Sequence, residues 1–237
     1  MKKPFQFKQF TIHQDRCAMK VGTDGVLLGA WASLEHGPNS VLDIGSGTGL
    51  ISLMLAQRST AETIDAIEID TDAYEQCVEN FEASPWGDRL FCYHAGWDEF
   101  TAEIEDEYDL IVSNPPFYSE AVSIGNIPRD TARQNQSLPF DALLTGVSKL
   151  LSPTGLFATI IPFKAEEQFI RLAATIGLFP KRIGRIKGNP SSEIKRSLLE
   201  FCFEETPVQN SELTIEKQRH QYTSEYIDLT QDFYLKM

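Results

Sequence analysis

Asn114-Pro115-Pro116-Phe117 is a run whose residue types suit chemistry on a planar amine. The Asn114 side-chain oxygen and the Pro115 carbonyl can accept hydrogen bonds from both N–H groups of an exocyclic amine. These bonds draw the nitrogen toward tetrahedral geometry and free its lone pair for attack. The two prolines fix φ and have no N–H, so these acceptors are preorganised. Phe117 offers a flat face on which a base can stack. We therefore predict that these four residues are catalytic; a plain proline-rich turn is the alternative.

A glycine-rich run, Asp43-Ile44-Gly45-Ser46-Gly47-Thr48-Gly49, lies between a predicted strand and a predicted helix. Glycines at such a junction allow a tight turn and a close approach of the backbone to a ligand, and the helix start offers free N–H groups. A dinucleotide fingerprint would need glycine where Leu50 stands, and a P-loop would need a lysine that the run lacks. The run predicts a cofactor site of another kind; a turn without a ligand is the alternative.

The Asp-x-Gly-x-Gly-x-Gly spacing resembles the first motif of the class I S-adenosylmethionine-dependent methyltransferases. The resemblance implies S-adenosyl-L-methionine as the cofactor, with the glycine loop beside its methionine part. It also implies an acid at the end of the second strand that accepts from both ribose hydroxyls; Glu68 matches this position best and Asp70 second. Trp97 falls where the family contacts the adenine ring, although it could equally be a core aromatic. The implied cofactor-binding residues of this motif set are Asp43, Gly45, Gly47, Gly49, Glu68 and Trp97.

Asn-Pro-Pro-Phe resembles the methyltransferases that modify amino or amide nitrogens: adenine N6, guanine N2, cytosine N4 or the glutamine side chain. The tetrapeptide does not choose among them. Residues 7–31 and the tail 226–235 resemble the bacterial family that methylates adenine N6 beside the anticodon of tRNA(Val). This resemblance implies an enzyme whose partner is a tRNA anticodon stem-loop, with the adenine 3′ of the anticodon turned out into the site. Methylation of guanine N2 in ribosomal RNA or of a protein glutamine, and a non-catalytic RNA-binding module, remain open alternatives.

Residues 1–35 form a lead-in that we expect to cover the cofactor site as a flap. Its stretch 21–31 is apolar and punctuated by glycine. Lys20, Thr23 and Asp24 are polar groups that could face the amino-acid end of the cofactor, and Asp24 is the predicted cofactor contact. For Lys20, a position on a helix that merely packs on the sheet is an equal alternative.

The segments around these motifs predict an α/β protein. Short apolar runs alternate with amphipathic helical segments, which is typical of βαβ units and a mostly parallel sheet covered on both faces. The last two predicted strands, near 179–187 and 196–204, have no helix between them and should pair antiparallel at one edge. We predict a class I methyltransferase (Rossmann-like) fold with a mostly parallel seven-stranded sheet and an antiparallel edge hairpin, in one domain over 36–237.

The net charge of −13 argues against a nucleic-acid partner until its distribution is considered. Residues 61–120 carry 17 acidic residues and one basic residue, whereas residues 164–200 carry eight basic and four acidic ones. We therefore expect an acidic flank on the ribose side of the cofactor, turned away from the tRNA. The predicted RNA contacts follow the catalytic run or surround the last two strands, and they are Arg129, Arg133, Lys181, Arg182, Arg185, Lys187, Lys195 and Arg196.

The sequence lacks the marks of membrane, secreted or metal-binding proteins. No apolar run approaches the ~20 residues that a membrane-spanning helix needs, and the N-terminus does not lead into a signal-peptide core. The four cysteines and four histidines lack metal-ligand spacing. We expect a cytoplasmic monomer with reduced thiols and no metal.

Overall fold

In a computed structural model that describes residues 3–116 and 138–237, the chain forms one eight-stranded sheet. Two short strands, β1 (Phe5–Gln6) and β2 (Thr11–Ile12), pair with each other before it. The strands of the large sheet are β3 (Ser40–Ile44), β4 (Thr63–Glu68), β5 (Leu90–His94), β6 (Tyr108–Ser113), β7 (Leu151–Pro162), β8 (Phe179–Lys187), β9 (Ile194–Cys202) and β10 (Gln209–Thr214). A separate small hairpin, β11 (Glu216–Gln218) and β12 (Gln221–Tyr222), follows β10.

The strand order confirms the predicted α/β class and corrects one detail of the sheet. The order is β5-β4-β3-β6-β7-β9-β8-β10, and within the described residues only β9 runs antiparallel to its sheet neighbours. The prediction of seven strands with the hairpin at the edge was wrong, because β10 pairs in parallel with β8 and becomes the edge. This strand has the sequence Gln-Asn-Ser-Glu-Leu-Thr and is largely exposed, so it lacks the apolar alternation from which a strand is recognised.

Helices cover both faces of the sheet and bury two apolar layers. They are α1 (Thr23–Trp31), α2 (Leu50–Arg58), α3 (Thr71–Glu82), α4 (Trp97–Glu103), α5 (Phe140–Leu150), α6 (Glu166–Thr175) and α7 (Ser224–Thr230). One layer contains residues of α1, α2, α3 and α7, and the other contains residues of α4, α5 and α6. Burying both faces of a sheet is what permits its strands to carry consecutive apolar residues, as β6 does at Leu110-Ile111-Val112.

The lead-in belongs to the same hydrophobic core as the sheet. Phe7, Phe10 and Ile12 are buried with the apolar side chains of α1 and α2 in one layer. Helix α1 packs so closely on α2 that a Cβ on Gly29 would stand 2.8 Å from Met54 Sδ. Within the described residues, no helix has the length and hydrophobicity needed to cross a membrane.

The sheet order places the acidic and basic segments at opposite ends of the molecule. Strands β4 and β5 lie at one end, inside the acidic segment 61–120, and strand β8 and most of β9 lie near the other end, inside the basic segment 164–200. The charge asymmetry of the sequence is therefore also an asymmetry in space.

Candidate active site

The predicted motifs meet at the carboxyl edge of three adjacent parallel strands. Ile44, the last residue of β3, is in register with Ile67 of β4 and with Ser113 of β6. The glycine loop, Glu68 and Asn114 therefore emerge side by side, at the edge where ligands of open α/β sheets bind. The Ser113 hydroxyl donates to the Ile44 carbonyl at 3.1 Å and joins the ends of β6 and β3.

The glycine loop has a backbone that only glycine adopts easily and leaves open space beside it. Gly45, Gly47 and Gly49 have φ of 72°, 57° and 76°, in the left-handed region where other residues are strained. A Cβ on Gly45 or Gly47 would meet no atom within 4 Å, whereas a Cβ on Gly49 would stand 2.5 Å from the ring of Phe81. The first two glycines therefore line open space, and the third lets α2 begin against the side chains of α3.

Asp43 is buried beneath this loop and holds the first turn of α2. Its Oδ2 accepts hydrogen bonds from the Ser52 backbone N–H at 3.2 Å and from the Ser52 hydroxyl at 2.7 Å. Burial raises the pKa of Asp43 to about 6, against the lowering effect of the Ser52 bonds. Its second oxygen, Oδ1, has no hydrogen-bond partner among the described residues.

The two acids that follow β4 have different contacts. Glu68 accepts a hydrogen bond from the Gly47 N–H at 2.8 Å and another from the Asp70 N–H at 2.9 Å, so its carboxylate lies against the glycine loop. Asp70 instead caps α3 by accepting from the Ala73 N–H at 2.9 Å. The geometry therefore favours Glu68 over Asp70 as the acid of the site.

Asn114 lies at the N-terminal end of α1. A Cβ on Gly25 would stand 4.0 Å from Asn114 Nδ2 and 3.1 Å from Leu50 Cδ2, so the helix backbone passes close to the amide. Pro115 is buried, and Asn114 and Pro116 are half-buried. Phe117, Arg129 and Arg133 lie outside the described residues.

The N-terminal end of α1 is tied to β9 by an ion pair. Arg196 Nε donates to Asp24 Oδ2 at 2.8 Å, and each side chain is about one-third exposed, at 36% and 32%. Lys20 and Thr23 are exposed. The structure thus joins a predicted cofactor contact, Asp24, to a predicted RNA contact, Arg196.

Two buried amides of α3 hold the lead-in against the glycine loop, and sequence reasoning missed both. Asn80 accepts from the His13 N–H at 2.8 Å and donates to the carbonyls of His13 and Thr48 at 2.9 and 2.8 Å. Gln76 accepts from the N–H groups of Asp15 and Arg16 at 3.1 and 3.2 Å. In the sequence these amides are indistinguishable from the solvated polar residues of any amphipathic helix.

The next part of the lead-in lies close to the two acids after β4. Cys17 is buried, and burial, followed by the negative charges of Glu68 and Asp70, raises the pKa of its thiol to about 12. The lead-in therefore borders both the glycine loop and the Glu68 side of the site.

Trp97 is a core residue at the start of α4. Its ring is buried, its Nε1 donates to the Ala142 carbonyl at 3.0 Å, and a Cβ on Gly146 would stand 2.5 Å from the ring. Ile69, directly after β4, has an exposed apolar side chain. It is 58% exposed, and its Cδ1 lies 3.6 Å from where a Cβ on Gly96 would stand. An exposed isoleucine at this edge was not predicted, because exposure cannot be read from an apolar residue in the sequence.

Four of the six predicted RNA contacts in β8 and β9 form ion pairs with carboxylates. Arg182 bonds the fully buried Glu200 at 3.3 Å and stacks 4.1 Å over the Trp31 ring, and Arg185 bonds the buried Glu166 at 2.6 Å. The other pairs are Lys187–Glu212 at 2.8 Å and Arg196–Asp24. Lys181 and Lys195 occur in none of the ion pairs found among the described residues, and Lys195 is exposed.

Comparison with known proteins places this site in a family. The Methyltransferase small domain family matches residues 26–137. A tRNA1(Val) (adenine(37)-N6)-methyltransferase of Flavobacterium johnsoniae is 62% identical over 98% of this chain and 100% of its own length. The proteins of the same name from Bacteroides fragilis and Trichodesmium erythraeum are 46% and 47% identical, over 100% and 98% of this chain and the same shares of their own lengths.

The chain belongs to the tRNA1(Val) (adenine(37)-N6)-methyltransferase family. This confirms the resemblance drawn from residues 7–31, the Asn-Pro-Pro-Phe run and the tail.

Solved structures confirm the methyltransferase fold of this tRNA1(Val) (adenine(37)-N6)-methyltransferase family member. A predicted O-methyltransferase of Agrobacterium tumefaciens superposes with a TM-score of 0.67 at 18% identity, over 89% of this chain and 96% of its own. A glycopeptide N-methyltransferase, solved in complex with S-adenosyl-L-methionine, superposes with a TM-score of 0.57 at 13% identity, over 78% of this chain and all of its own. At such identities the likeness concerns the fold alone.

Proposed function

We propose that this protein transfers a methyl group from S-adenosyl-L-methionine to N6 of the adenine 3′-adjacent to the anticodon of tRNA(Val). The observation that carries the proposal is full-length identity of 62% to a relative named for this reaction. The placement of Asn114 beside the glycine loop supports it, because a nitrogen-binding group and a cofactor loop must be neighbours for transfer between them.

The described residues at the carboxyl edge fit the proposed cofactor. Open space beside Gly45 and Gly47 leaves room for a ligand against the backbone, and the unpartnered Oδ1 of Asp43 is an acceptor beneath the loop. Glu68 would hold the ribose hydroxyls, since its carboxylate lies against the loop and accepts from the Gly47 N–H. When bound, S-adenosyl-L-methionine supplies an electrophilic methyl group.

Asn114 and Pro115 would prepare the amine of the adenine. The Asn114 side-chain oxygen and the Pro115 carbonyl would accept hydrogen bonds from its two N–H groups. These bonds would reduce delocalisation of the lone pair into the ring and direct it away from the two acceptors. The half-buried position of Asn114 excludes part of the solvent that would compete for these hydrogen bonds. Phe117 would stack on the base, which completes the proposed catalytic set.

The ion pairs of β8 and β9 support a narrower choice of charges for the proposed RNA contacts. Arg182, Arg185, Lys187 and Arg196 each face a carboxylate, so the pairs contribute little net charge to an approaching phosphate. Lys181 and Lys195 would contribute most among the predicted contacts of β8 and β9. Arg129 and Arg133, which follow the catalytic run in the sequence, would contact the RNA close to the target base.

Asn114→Ala tests the mechanism. Methyl transfer to tRNA(Val) transcript should fall by a factor of about 100 or more, while the affinity for S-adenosyl-L-methionine, measured by calorimetry, should not change. Asn210→Ala, on the exposed edge strand β10, is the matched control and should leave both unchanged. Normal activity of Asn114→Ala with normal cofactor binding would refute the role of the amide.

The substrate itself is tested by mass spectrometry. Transfer into tRNA should appear as N6-methyladenosine in the anticodon-loop fragment, and a protein acceptor should take up no label. Label in ribosomal RNA or in a protein glutamine would overturn the proposal. Because tRNA is a cytoplasmic substrate and all proposed site residues come from one chain, we further propose a cytoplasmic enzyme that acts as a monomer, which sedimentation can check.

A further inference from the structure

The hairpin β11–β12, residues Glu216–Tyr222, carries exposed positive charge that sequence reasoning did not single out; we call it the basic hairpin. Lys217, Arg219 and His220 are exposed on it. Neither Lys217 nor Arg219 occurs in any of the ion pairs found among the described residues. This differs from β8 and β9, where carboxylates neutralise most of the cations.

The strand directions place the basic hairpin at the same edge of the sheet as Asn114. Because β9 is antiparallel to both β7 and β8, strand β8 runs parallel to β7 and β6, and β10 runs parallel to β8. The carboxyl end of β10 therefore lies at the catalytic edge. The Ile215 and Glu216 N–H groups donate to the carbonyls of Lys187 and Gly188 at 2.9 and 3.0 Å, so the basic hairpin begins where β8 ends.

The base of the hairpin is anchored and its tip is conformationally costly. Thr223 donates through its N–H to the Ile215 carbonyl at 3.0 Å and through its hydroxyl to the Thr214 carbonyl at 2.5 Å. At the tip, His220 has φ of 64°, a conformation that favours glycine. Residues in such sparsely populated conformations occur often at functional sites, so the tip is a candidate for a contact.

The carboxylates near the basic hairpin are engaged by other groups. Glu216 accepts from the His220 backbone N–H at 3.2 Å, and Glu225 accepts from the Ser224 hydroxyl at 3.1 Å. Glu225 is also the acid whose pKa the Lys217 charge helps to lower, after its own hydrogen bonds. These hydrogen bonds leave both carboxylates charged, but neither forms an ion pair with Lys217 or Arg219 among the described residues, so the two cations are free to contact a phosphate.

The distance to the catalytic residues suits an RNA stem. Four strand steps separate β6 from β10, which at about 4.8 Å each is about 19 Å. A stacked strand rises roughly 3.4 Å per phosphate, so this span covers about five or six nucleotides. A base held at Asn114 would thus place phosphates of the paired stem, rather than of the loop, beside the basic hairpin.

We propose that the basic hairpin binds phosphates of the anticodon stem of the RNA substrate, through Lys217 and Arg219. This inference rests on the proposed function in that the target base is held at Asn114. It adds a second RNA-binding element, separate from the residues that handle the base and the cofactor.

The test compares Lys217→Gln/Arg219→Gln with the matched variant Lys3→Gln/Lys149→Gln. Lys3 is exposed in the lead-in and Lys149 is exposed in the last turn of α5, at the opposite edge of the sheet. Neither occurs in the ion pairs found among the described residues, so the control removes two unpaired charges elsewhere. Fluorescence anisotropy between about 50 and 200 mM salt should show about tenfold weaker binding of the anticodon stem-loop by the hairpin variant, and a salt slope lower by about one to two. The control should match wild type, and cofactor affinity should be the same in all three.

A single-stranded oligonucleotide of the loop alone separates stem from loop contacts. Wild type and hairpin variant should bind it equally, since it lacks the stem phosphates. Equal binding of the stem-loop by wild type and hairpin variant, or an equal loss in the control, would overturn the inference. Failure of the wild type to methylate tRNA would instead refute the proposed function, and the binding comparison would still decide the role of the hairpin.

Discussion

Gly25 of α1 lies against the side chain of Asn114, with 4.0 Å between Asn114 Nδ2 and the position of a Cβ on Gly25. A helix from the lead-in therefore forms one wall beside the proposed catalytic amide. The position of α1 is set at both ends, by the Asp24–Arg196 ion pair at its start and by Arg58, which donates to the carbonyls of Gly29 and Ala32 at 2.8 and 3.0 Å near its end.

Gly25→Val should lower kcat by about tenfold or more. The added carbons would occupy space between Leu50 and Asn114 and displace the amide, which steady-state methylation of tRNA(Val) transcript would measure. Gly29→Ala is the control on the same helix, since its Cβ would crowd Met54 and reduce thermal stability without reaching Asn114. If both variants lose stability but neither loses kcat, α1 does not position the amide.

Glu68→Gln should weaken cofactor binding by about tenfold, as measured by calorimetry. The substitution keeps the shape of the side chain but removes the charge that strengthens its hydrogen bonds. Asp70→Ala should instead lower the free energy of unfolding by about 1 kcal/mol, because it removes the N-cap of α3, and should leave cofactor affinity unchanged. The reverse pattern would make Asp70 the ribose-binding acid.

Arg196→Gln should behave like Asp24→Asn. Each should lower kcat severalfold through α1, and the double variant should be no worse than either single variant, since both remove one ion pair. The pair is partly exposed, so its coupling energy should be about 1 kcal/mol or less. A loss of tRNA affinity in Arg196→Gln that is absent in Asp24→Asn would show that Arg196 contacts the RNA directly.

The stability of the protein relative to Asp43→Asn should fall as the pH rises. The pKa of Asp43 is about 6 in the folded protein, above its ordinary value of 3.8, so between these values the folded state keeps a proton that the unfolded chain releases. Stability is thus lost as pH rises through this window. Free energies of unfolding of both proteins from about pH 4 to pH 7 would measure this, with other groups cancelling in the comparison. Parallel curves would contradict it.

The sequence predicted which motifs meet at the sheet edge better than it predicted the contacts that hold them there. The glycine loop and the Asn-Pro-Pro-Phe run each follow directly after a strand, and Glu68 ends one. Because the strands are parallel, these three features meet at one edge of the sheet. Asn80 was not predictable, because its three hydrogen bonds join segments far apart in the chain. The same holds for β10, whose polar sequence forms a strand only because β8 offers it an edge.

The sequence alone did not show which cations are neutralised by ion pairs. Arg182 and Arg185 looked like phosphate contacts, yet their partners Glu200 and Glu166 lie on other elements and are buried. Pairing of this kind depends on tertiary neighbours, which local composition does not contain. Lys217 and Arg219 were not among the predicted RNA contacts, because two charges in a short segment do not stand out in local composition.

The separation of charge between the two ends of the sheet has a consequence before any contact forms. A body with one strongly acidic end and one end of nearly balanced charge experiences a torque near a polyanion, because the field repels the acidic end. The protein should therefore turn as it approaches the tRNA, so that the β8 and β9 end faces the RNA. A larger fraction of encounters then occurs in an orientation that can bind. Added salt would remove this alignment, so it should slow association even where the final complex is little weakened.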